Sequence, residues 1–103
     1  MIIYSLTVVI KKDMEDFRFN WMKKEHINDI MKTGYFLDWE MQKLLMPEID
    51  ANESSYVISY KLQSLEQYDK YVKKAAHRLQ KEHKEKFSGK YKASRAVYQL
   101  ITK

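Results

Sequence analysis

Hydrophobic and polar residues alternate along the first ten positions of the chain. One face of residues 2–10 is wholly apolar, and the opposite face mixes Ile3 and Val9 with Ser5 and Thr7. A period of two with many β-branched residues predicts a β-strand. The apolar face of this first strand consists of Ile2, Tyr4, Leu6, Val8 and Ile10.

The same alternation returns three times and predicts three more strands, at about 35–46, 55–62 and 91–101. In the second strand, apolar positions oppose Phe36, Asp38, Glu40 and Gln42; they are Tyr35, Leu37, Trp39 and Met41. One face of the third strand carries Tyr56, Ile58, Tyr60 and Leu62. In the fourth strand, one side carries Tyr91, Ala93, Arg95, Val97 and Ile101.

A helix is predicted between the first two strands, from an N-cap at Asp13 to about Thr33, with Gly34 as its left-handed stop. Its apolar residues change face part of the way along. The first set is Met14, Phe17 and Trp21, and the second set is Met22, His26 and Ile30. The two sets differ by about 100 degrees, the angle between consecutive helical residues. The buried face therefore widens or the helix breaks near His26, where Asn28 could cap a second segment. Both interpretations place His26 on the buried stripe.

A second helix is predicted after the third strand. Ser64 and Gln67 form a capping box, and the helix extends to about Phe87, with Gly89 as its stop. The apolar positions step in threes and fours along it, as expected for one buried face. They are Leu65, Tyr68, Val72, Ala75 and Leu79.

The predicted order βαββαβ defines a fold class: α+β, ferredoxin-like, with a four-stranded antiparallel sheet and both helices on one face. We expect one domain over 1–103. Four strands of about 25 Å, spaced about 4.8 Å apart, leave an open sheet face on the order of 500 Å². A partly apolar patch of that size is large for a monomer, so we predict a homodimer that covers it through a two-fold interface and encloses a cavity.

Composition narrows the classes of function. The chain has 103 residues and no cysteine, which excludes disulfides, thiolate metal sites and a cysteine nucleophile. The apolar run at its start is too short for a membrane span and lacks the features of a secretion signal, so we expect a cytoplasmic protein without a membrane partner. Both glycines are interpreted as helix stops rather than a phosphate loop, and His77 and His83 lie on different helix faces. We therefore predict no metal and no other cofactor.

The net charge of +5 comes mainly from the segment Lys70 to Arg95. Such a segment is typical of a solvated helix face, and it is also compatible with nucleic-acid binding. An RNA-binding module can share the order βαββαβ. Against that alternative, the third strand, SSYVISYKL, lacks the basic-glycine-aromatic signature and its mixed face offers no stacking pair. Nucleic acid is the less favoured partner.

Several short motifs resemble the dimeric α/β-barrel superfamily, which includes antibiotic-biosynthesis-type monooxygenases and stress-responsive barrel proteins. They are Trp21-Met22, Glu25-His26-Ile27, Thr33-Gly34 and Phe36. The chain is more closely similar to a small family of unknown function within that superfamily. That similarity rests on the MIIY start, WM followed by HI and TG-x-F, SLEQYDKY, and KF-x-GK followed by Arg95. Many relatives have proline two places after the histidine, where this chain has Asn28.

The resemblance implies a homodimer with a pocket between sheet and helices in each subunit. In enzyme branches of the superfamily, that pocket performs cofactor-free oxygenation, isomerisation or haem breakdown on aromatic or polycyclic substrates. The fold alone confers none of these activities. The expected function is therefore binding or transformation of a small aromatic or acidic ligand without a metal. Whether the protein is an enzyme is left open; an enzyme of this kind would be monooxygenase- or isomerase-like. An RNA-binding module and a non-catalytic assembly or regulatory protein are the alternatives.

His26 is the candidate catalytic residue, because imidazole titrates near neutral pH and can move a proton. The alternative is a half-buried histidine hydrogen-bonded to a carbonyl. The candidate ligand pocket combines Trp21 and Met22 on the helix with strand residues Asp38, Glu40 and Arg95. Each has a plainer interpretation: the tryptophan and methionine as core, the two acids as a solvated edge, and Arg95 as their ion-pair partner.

Overall fold

The computed structural model describes residues 1–86 and 91–102. Its four strands are β1 (Ile2–Lys11), β2 (Asp38–Lys43), β3 (Glu53–Leu62) and β4 (Tyr91–Gln99). They form one antiparallel sheet in the order β2-β3-β1-β4. The predicted ferredoxin-like order βαββαβ is confirmed.

The two faces of the sheet differ in the way that the alternation predicts. On β1, all five residues of the apolar face are buried, and the residues between them are only partly buried. The register pairs Leu6 with Ile58 of β3 and Arg95 of β4, so these side chains share the face covered by the helices. The apolar face of β3 is likewise buried, which confirms its assignment; it comprises Tyr56, Ile58, Tyr60 and Leu62.

The first helical layer is continuous from Lys12 to Lys32. A 3₁₀ turn (Lys12–Met14) leads into α1 (Glu15–Trp21), a π turn (Met22–His26) and α2 (Ile27–Lys32). The Ile27 N–H donates to the Met22 carbonyl five residues earlier, so the π turn adds a residue without breaking the helix.

This continuity corrects both predicted caps. Asp13 lies inside the 3₁₀ turn, which has no side-chain cap. The Asn28 side chain donates to the Lys24 carbonyl at 2.8 Å and does not cap α2. Gly34 adopts φ +82°, so the predicted left-handed stop is confirmed.

The buried stripe of the first helix begins at Arg18, with 2% of its surface exposed, and not at Phe17, with 52% exposed. The prediction that Phe17 is a core residue is therefore wrong. Met22, His26 and Ile30 are buried as predicted, and Ile27 joins them. The π turn explains the widened face, because one extra residue per turn brings both His26 and Ile27 inward.

The second helix comprises α3 (Leu65–Tyr71), a π turn (Val72–Ala76) and α4 (His77–Lys86). The Gln67 N–H donates to Ser64 Oγ, which confirms the predicted Ser64 cap. Leu65 and Val72 are exposed, contrary to prediction, because the buried stripe runs one residue away. That stripe comprises Tyr71, Ala75, Ala76, Leu79 and His83. The predicted helix end near Phe87 and the stop at Gly89 lie outside the described residues.

The second and fourth strands are shorter than predicted. β2 begins only at Asp38, and the preceding Phe36 turns into the core against Tyr4, Tyr60 and Tyr71. The prediction that Phe36 lies on the open face is therefore wrong, and Leu37 is exposed instead. Ile101, beyond the end of β4, is also exposed.

Candidate functional site

A cluster of polar side chains is buried between the helices and the sheet. The exposed fractions of Arg18, His26 and His83 are 2%, 4% and 5%. Arg18 and His26 come from the first helical layer, and His83 comes from α4. We call these three residues the buried polar cluster.

The His26 ring is held between other rings. Its centroid lies 4.8 Å from that of Trp21, in a stacked geometry, and 5.5 Å from that of His83. Its Nδ1 is buried and has no hydrogen-bond partner among the described residues. Burial, aided by the Arg18 charge, lowers the pKa of His26 to about 4. The imidazole is therefore neutral at pH 7 and has a nitrogen available to accept a proton.

The His83 ring packs against two other aromatic rings. Its ring lies 5.6 Å from Trp21 and 4.5 Å from Tyr91, the latter edge to face. Burial, with the Arg18 charge second, lowers the pKa of His83 to about 3. Two neutral imidazoles thus face each other in the layer.

Arg18 is the charged residue of the buried polar cluster. Its Nε and Nη2 are buried and have no hydrogen-bond partner among the described residues. Burial lowers the pKa of Arg18 to about 10, which still leaves the guanidinium protonated at pH 7. None of the ion pairs found within residues 1–86 and 91–102 involves it.

A small cavity of about 10 Å³ lies beside the two histidines, between helices and sheet. That volume holds about one water molecule. The Tyr60 hydroxyl on its wall is buried without a hydrogen-bond partner in the described structure, and burial raises its pKa. The cavity is lined by Tyr4, Leu6, Val8, His26, Ile30, Tyr60, Tyr71, Gln80, His83, Ala93 and Arg95.

Arg95 and Gln80 separate this cavity from the surface. Both line it, and both also line an outer groove of about 300 Å³ with His77, Lys81, Lys84 and Tyr91. Burial raises the pKa of the Tyr4 hydroxyl, opposed by the charge and hydrogen bonding of Arg95 and by hydrogen bonding of Gln80. The outer groove is basic, and it shares these two side chains with the cavity.

A second polar site lies at the edge of the interface between helices and sheet, around Glu15, and we call it the Glu15 site. Lys43 Nζ donates to Glu15 at 2.8 Å, Ser54 Oγ donates at 2.9 Å, and the Tyr56 hydroxyl donates to the same carboxylate. These bonds, that from Lys43 first, lower the pKa of Glu15 to about 2. The carboxylate is satisfied by its own chain.

The structure separates the predicted pocket residues into two groups. His26, Trp21 and Met22 lie together, with Met22 in the core and its surface fully buried. Arg95 lies at the mouth of the cavity. Asp38 and Glu40 are exposed on the opposite face of the sheet, paired in register with Lys61 and Ser59.

The predicted ion pair of Arg95 with Asp38 or Glu40 is not formed. Arg95 belongs to β4 and the two acids belong to β2, at opposite edges of the sheet and on opposite faces. In the described structure, Asp38 and Glu40 therefore lie on the other side of the sheet from His26.

Two residues of the cluster, Arg18 and His83, were not predicted, although the sequence carries a signal for both. The stripe Met22, His26, Ile30 steps in fours, and one more step toward the N-terminus reaches Arg18. The steps from Tyr71 to Ala75 and Leu79 continue to His83 in the same way. A pattern based on hydrophobicity alone excludes both residues.

Two other kinds of feature are absent from the described residues, a cluster of metal ligands and a membrane-spanning helix. No three histidine, aspartate or glutamate side chains come together as metal ligands within residues 1–86 and 91–102. Across the same residues, none of the helices has the length and apolar character needed to cross a bilayer.

The fold is shared with many solved structures of low sequence identity. A dimeric ferredoxin-like protein from an uncultured marine organism is 14% identical with a TM-score of 0.69, and covers 99% of this chain and 97% of its own. An ethyl tert-butyl ether D (EthD) family protein from Bacillus halodurans is 11% identical with a TM-score of 0.69, covering 98% and 100%. An antibiotic biosynthesis monooxygenase is 11% identical with a TM-score of 0.64, covering 99% and 100%.

A family can be assigned from a sequence match that covers almost the whole chain. No curated protein matches it significantly. A family model described as a domain of unknown function, DUF4286, matches residues 1–101. The chain therefore belongs to the DUF4286 family of domains of unknown function.

Proposed function

We propose that this protein is a cytoplasmic homodimer that binds a small aromatic or acidic molecule between the helices and the sheet of each protomer. His26 is its reactive group, and no metal takes part. The observation that supports this function best is the buried imidazole, which is stacked on Trp21 with an unpartnered Nδ1 beside a cavity.

The chemistry available at His26 is proton transfer. A neutral imidazole can accept a proton from a bound C–H or O–H group, and the low pKa keeps the His26 ring unprotonated at neutral pH. The Arg18 charge nearby stabilises negative charge that forms on a substrate. A cofactor-independent oxygenation or isomerisation begins with such a proton abstraction, in line with the enzyme branches that the fold resembles.

Ligand entry requires side-chain movement. The cavity accommodates about one water molecule, so a larger ligand must displace the side chains that close it. Gln80 and Arg95 are the residues to move, because they also line the outer groove. Arg95 is exposed and has room to rotate toward solvent.

The homodimer is proposed from the open face of the sheet. Ile3, Val9 and Val57 lie there, partly buried, among small polar residues. The register places these positions on the side of the sheet opposite the helices. A second copy would cover them in the same way on both subunits. One solved structure of this fold is described as a dimeric ferredoxin-like protein.

The RNA-binding alternative has less support. Lys70, Arg78 and Lys81 in the basic segment pair with glutamates one helical turn away, as on a solvated helix face. On the open face, the described strands present one aromatic side chain, Tyr98, opposite Ile3. The stacking platform that single-stranded RNA requires is not formed by these residues.

Ligand binding is tested with benzoate and benzamide, followed through the His26 ring signals in ¹H–¹³C NMR spectra. We expect at least one probe to shift those signals saturably, and His26→Ala to weaken its binding tenfold or more. Asn28→Ala is the matched control, because Asn28 is exposed on the same helix as His26 and lies outside the cavity and the outer groove, and its affinity should equal that of the wild type. An unchanged affinity in His26→Ala removes His26 from the site. If neither probe perturbs the ring, the assembly or regulatory role gains support.

The dimer is tested by sedimentation equilibrium. We expect the wild type to be a dimer and Val57→Asp to be a monomer, because a charge at the centre of the covered face is buried without a partner. Val72→Asp is the control, since Val72 is 45% exposed on the outer side of the second helix. A monomeric wild type, or a Val57→Asp variant as dimeric as Val72→Asp, contradicts the proposed interface.

A further inference from the structure

Among the described residues, the charge of Arg18 has no counter-charge paired with it. Its side chain is among the most deeply buried in the chain, and two of its nitrogens lack partners within the described residues. A buried guanidinium is strongly unfavourable unless an anion compensates it. The described chain supplies no such anion next to it.

The titratable side chains that interact electrostatically with Arg18 are aromatic rings. They are the imidazoles of His26 and His83 and the phenols of Tyr56, Tyr60 and Tyr91. Glu15, one turn earlier on α1, points to Lys43, Ser54 and Tyr56 instead. The Glu15 carboxylate is therefore already satisfied by these three partners.

We propose that the space between helices and sheet binds a small organic carboxylate, whose anionic group is held by Arg18 with the His26 ring and the Tyr60 hydroxyl beside it. The proposal rests on the function proposed above and narrows its ligand to a carboxylate. The unpaired nitrogens of Arg18 fit such a group, since guanidinium binds carboxylate through parallel N–H donors. The Tyr60 hydroxyl, buried and unpartnered, is a further donor.

The approach to the site carries the same charge preference. The outer groove is lined by Lys81, Lys84 and Arg95, and it leads to the cavity past Gln80 and Arg95. A basic groove raises the local concentration of anions and disfavours cations. A carboxylate ligand would thus enter with its charged group toward the cavity and leave its remaining atoms in the groove.

The test compares acetate with its neutral isostere acetamide at constant ionic strength and pH 7.5. Acetate at ten times its dissociation constant should raise the melting temperature of the wild type by about 5 °C, and acetamide should leave it unchanged. Arg18→Met should lose the acetate effect. Lys84→Met is the matched control: it removes one positive charge from the outer groove, and it should keep at least half of the effect.

A second measurement does not depend on the folding of any variant. In the wild type, acetate should shift the Arg18 Nε–H signal in ¹⁵N NMR spectra, and acetamide should not. The proposal is overturned if acetamide stabilises the protein as much as acetate, if Arg18→Met keeps the acetate effect, or if the Arg18 signal does not respond. If benzamide still binds at His26 in those cases, the ligand site stands and only its preference for carboxylates is lost.

Discussion

Two charged residues three positions apart on α1 have opposite environments. Glu15, at the rim of the helix layer, accepts hydrogen bonds from three side chains of its own protein. Arg18, about five-sixths of a turn later, is fully buried, and its Nε and Nη2 have no partner among the described residues. The helix thus places one satisfied charge and one unsatisfied charge against the same sheet.

The difference separates a site that the fold alone explains from the site for which we propose a ligand. Satisfied polar groups add to stability, whereas an unpaired buried charge costs stability and is retained where something else requires it. The Glu15 site can be explained by the fold alone. The buried polar cluster cannot, and this asymmetry is the reason for assigning a ligand to it.

The largest expected effect is a loss of stability at mildly acid pH, and it originates in the buried cluster. The folded-state pKa of His26 is lowered to about 4, so the unfolded chain takes up a proton near pH 6.5 that the folded chain does not. The contribution of the neutral His26 ring to the free energy of unfolding is therefore fully present above about pH 6.5 and is lost as the pH falls toward 4. The loss from His26 is about 3 kcal/mol, and His83 acts in the same direction.

Urea unfolding between pH 7 and pH 4 measures this loss. His26→Gln, which does not titrate, should flatten the curve, and His77→Gln, at an exposed position, should leave its slope unchanged. Equal slopes for the wild type and His26→Gln would show that the ring takes up its proton in the folded state. The Glu15 site should affect only the lower range, because its pKa of about 2 keeps its contribution intact above pH 4.5.

Much of the fold follows from periodicity in the sequence. The alternation in β1 and β3 predicted the faces of both strands, because one face packs on helices and the other does not. The helices were harder, since each contains a π turn that shifts the phase of its buried stripe. Phe17, Leu65 and Val72 are exposed although their helical spacing predicted them on a buried face, and Phe17 and Leu65 precede the π turns of their helices.

The site could be predicted only in part for a related reason. His26 was identified because it lies on an apolar stripe, as Met22 and Ile30 do. Arg18 occupies the equivalent place one turn earlier, but a hydrophobic pattern does not include it, because charged side chains are rarely buried without a partner. A residue that contradicts the hydrophobic pattern is a typical mark of a functional site, and the pattern itself cannot find it.

A smaller effect is expected from the satisfied half of the comparison. Glu15→Ala should lower the free energy of unfolding at pH 7 by about 2 kcal/mol, because it removes a charged acceptor and leaves the buried Ser54 and Tyr56 hydroxyls without their bonds. Glu66→Ala, which breaks an exposed pair with Lys70, should cost less than about 0.5 kcal/mol. Urea unfolding of both variants gives the comparison. Equal losses would mean that water replaces the hydroxyl bonds at the rim, and Glu15 would then be no better satisfied by the fold than a surface glutamate.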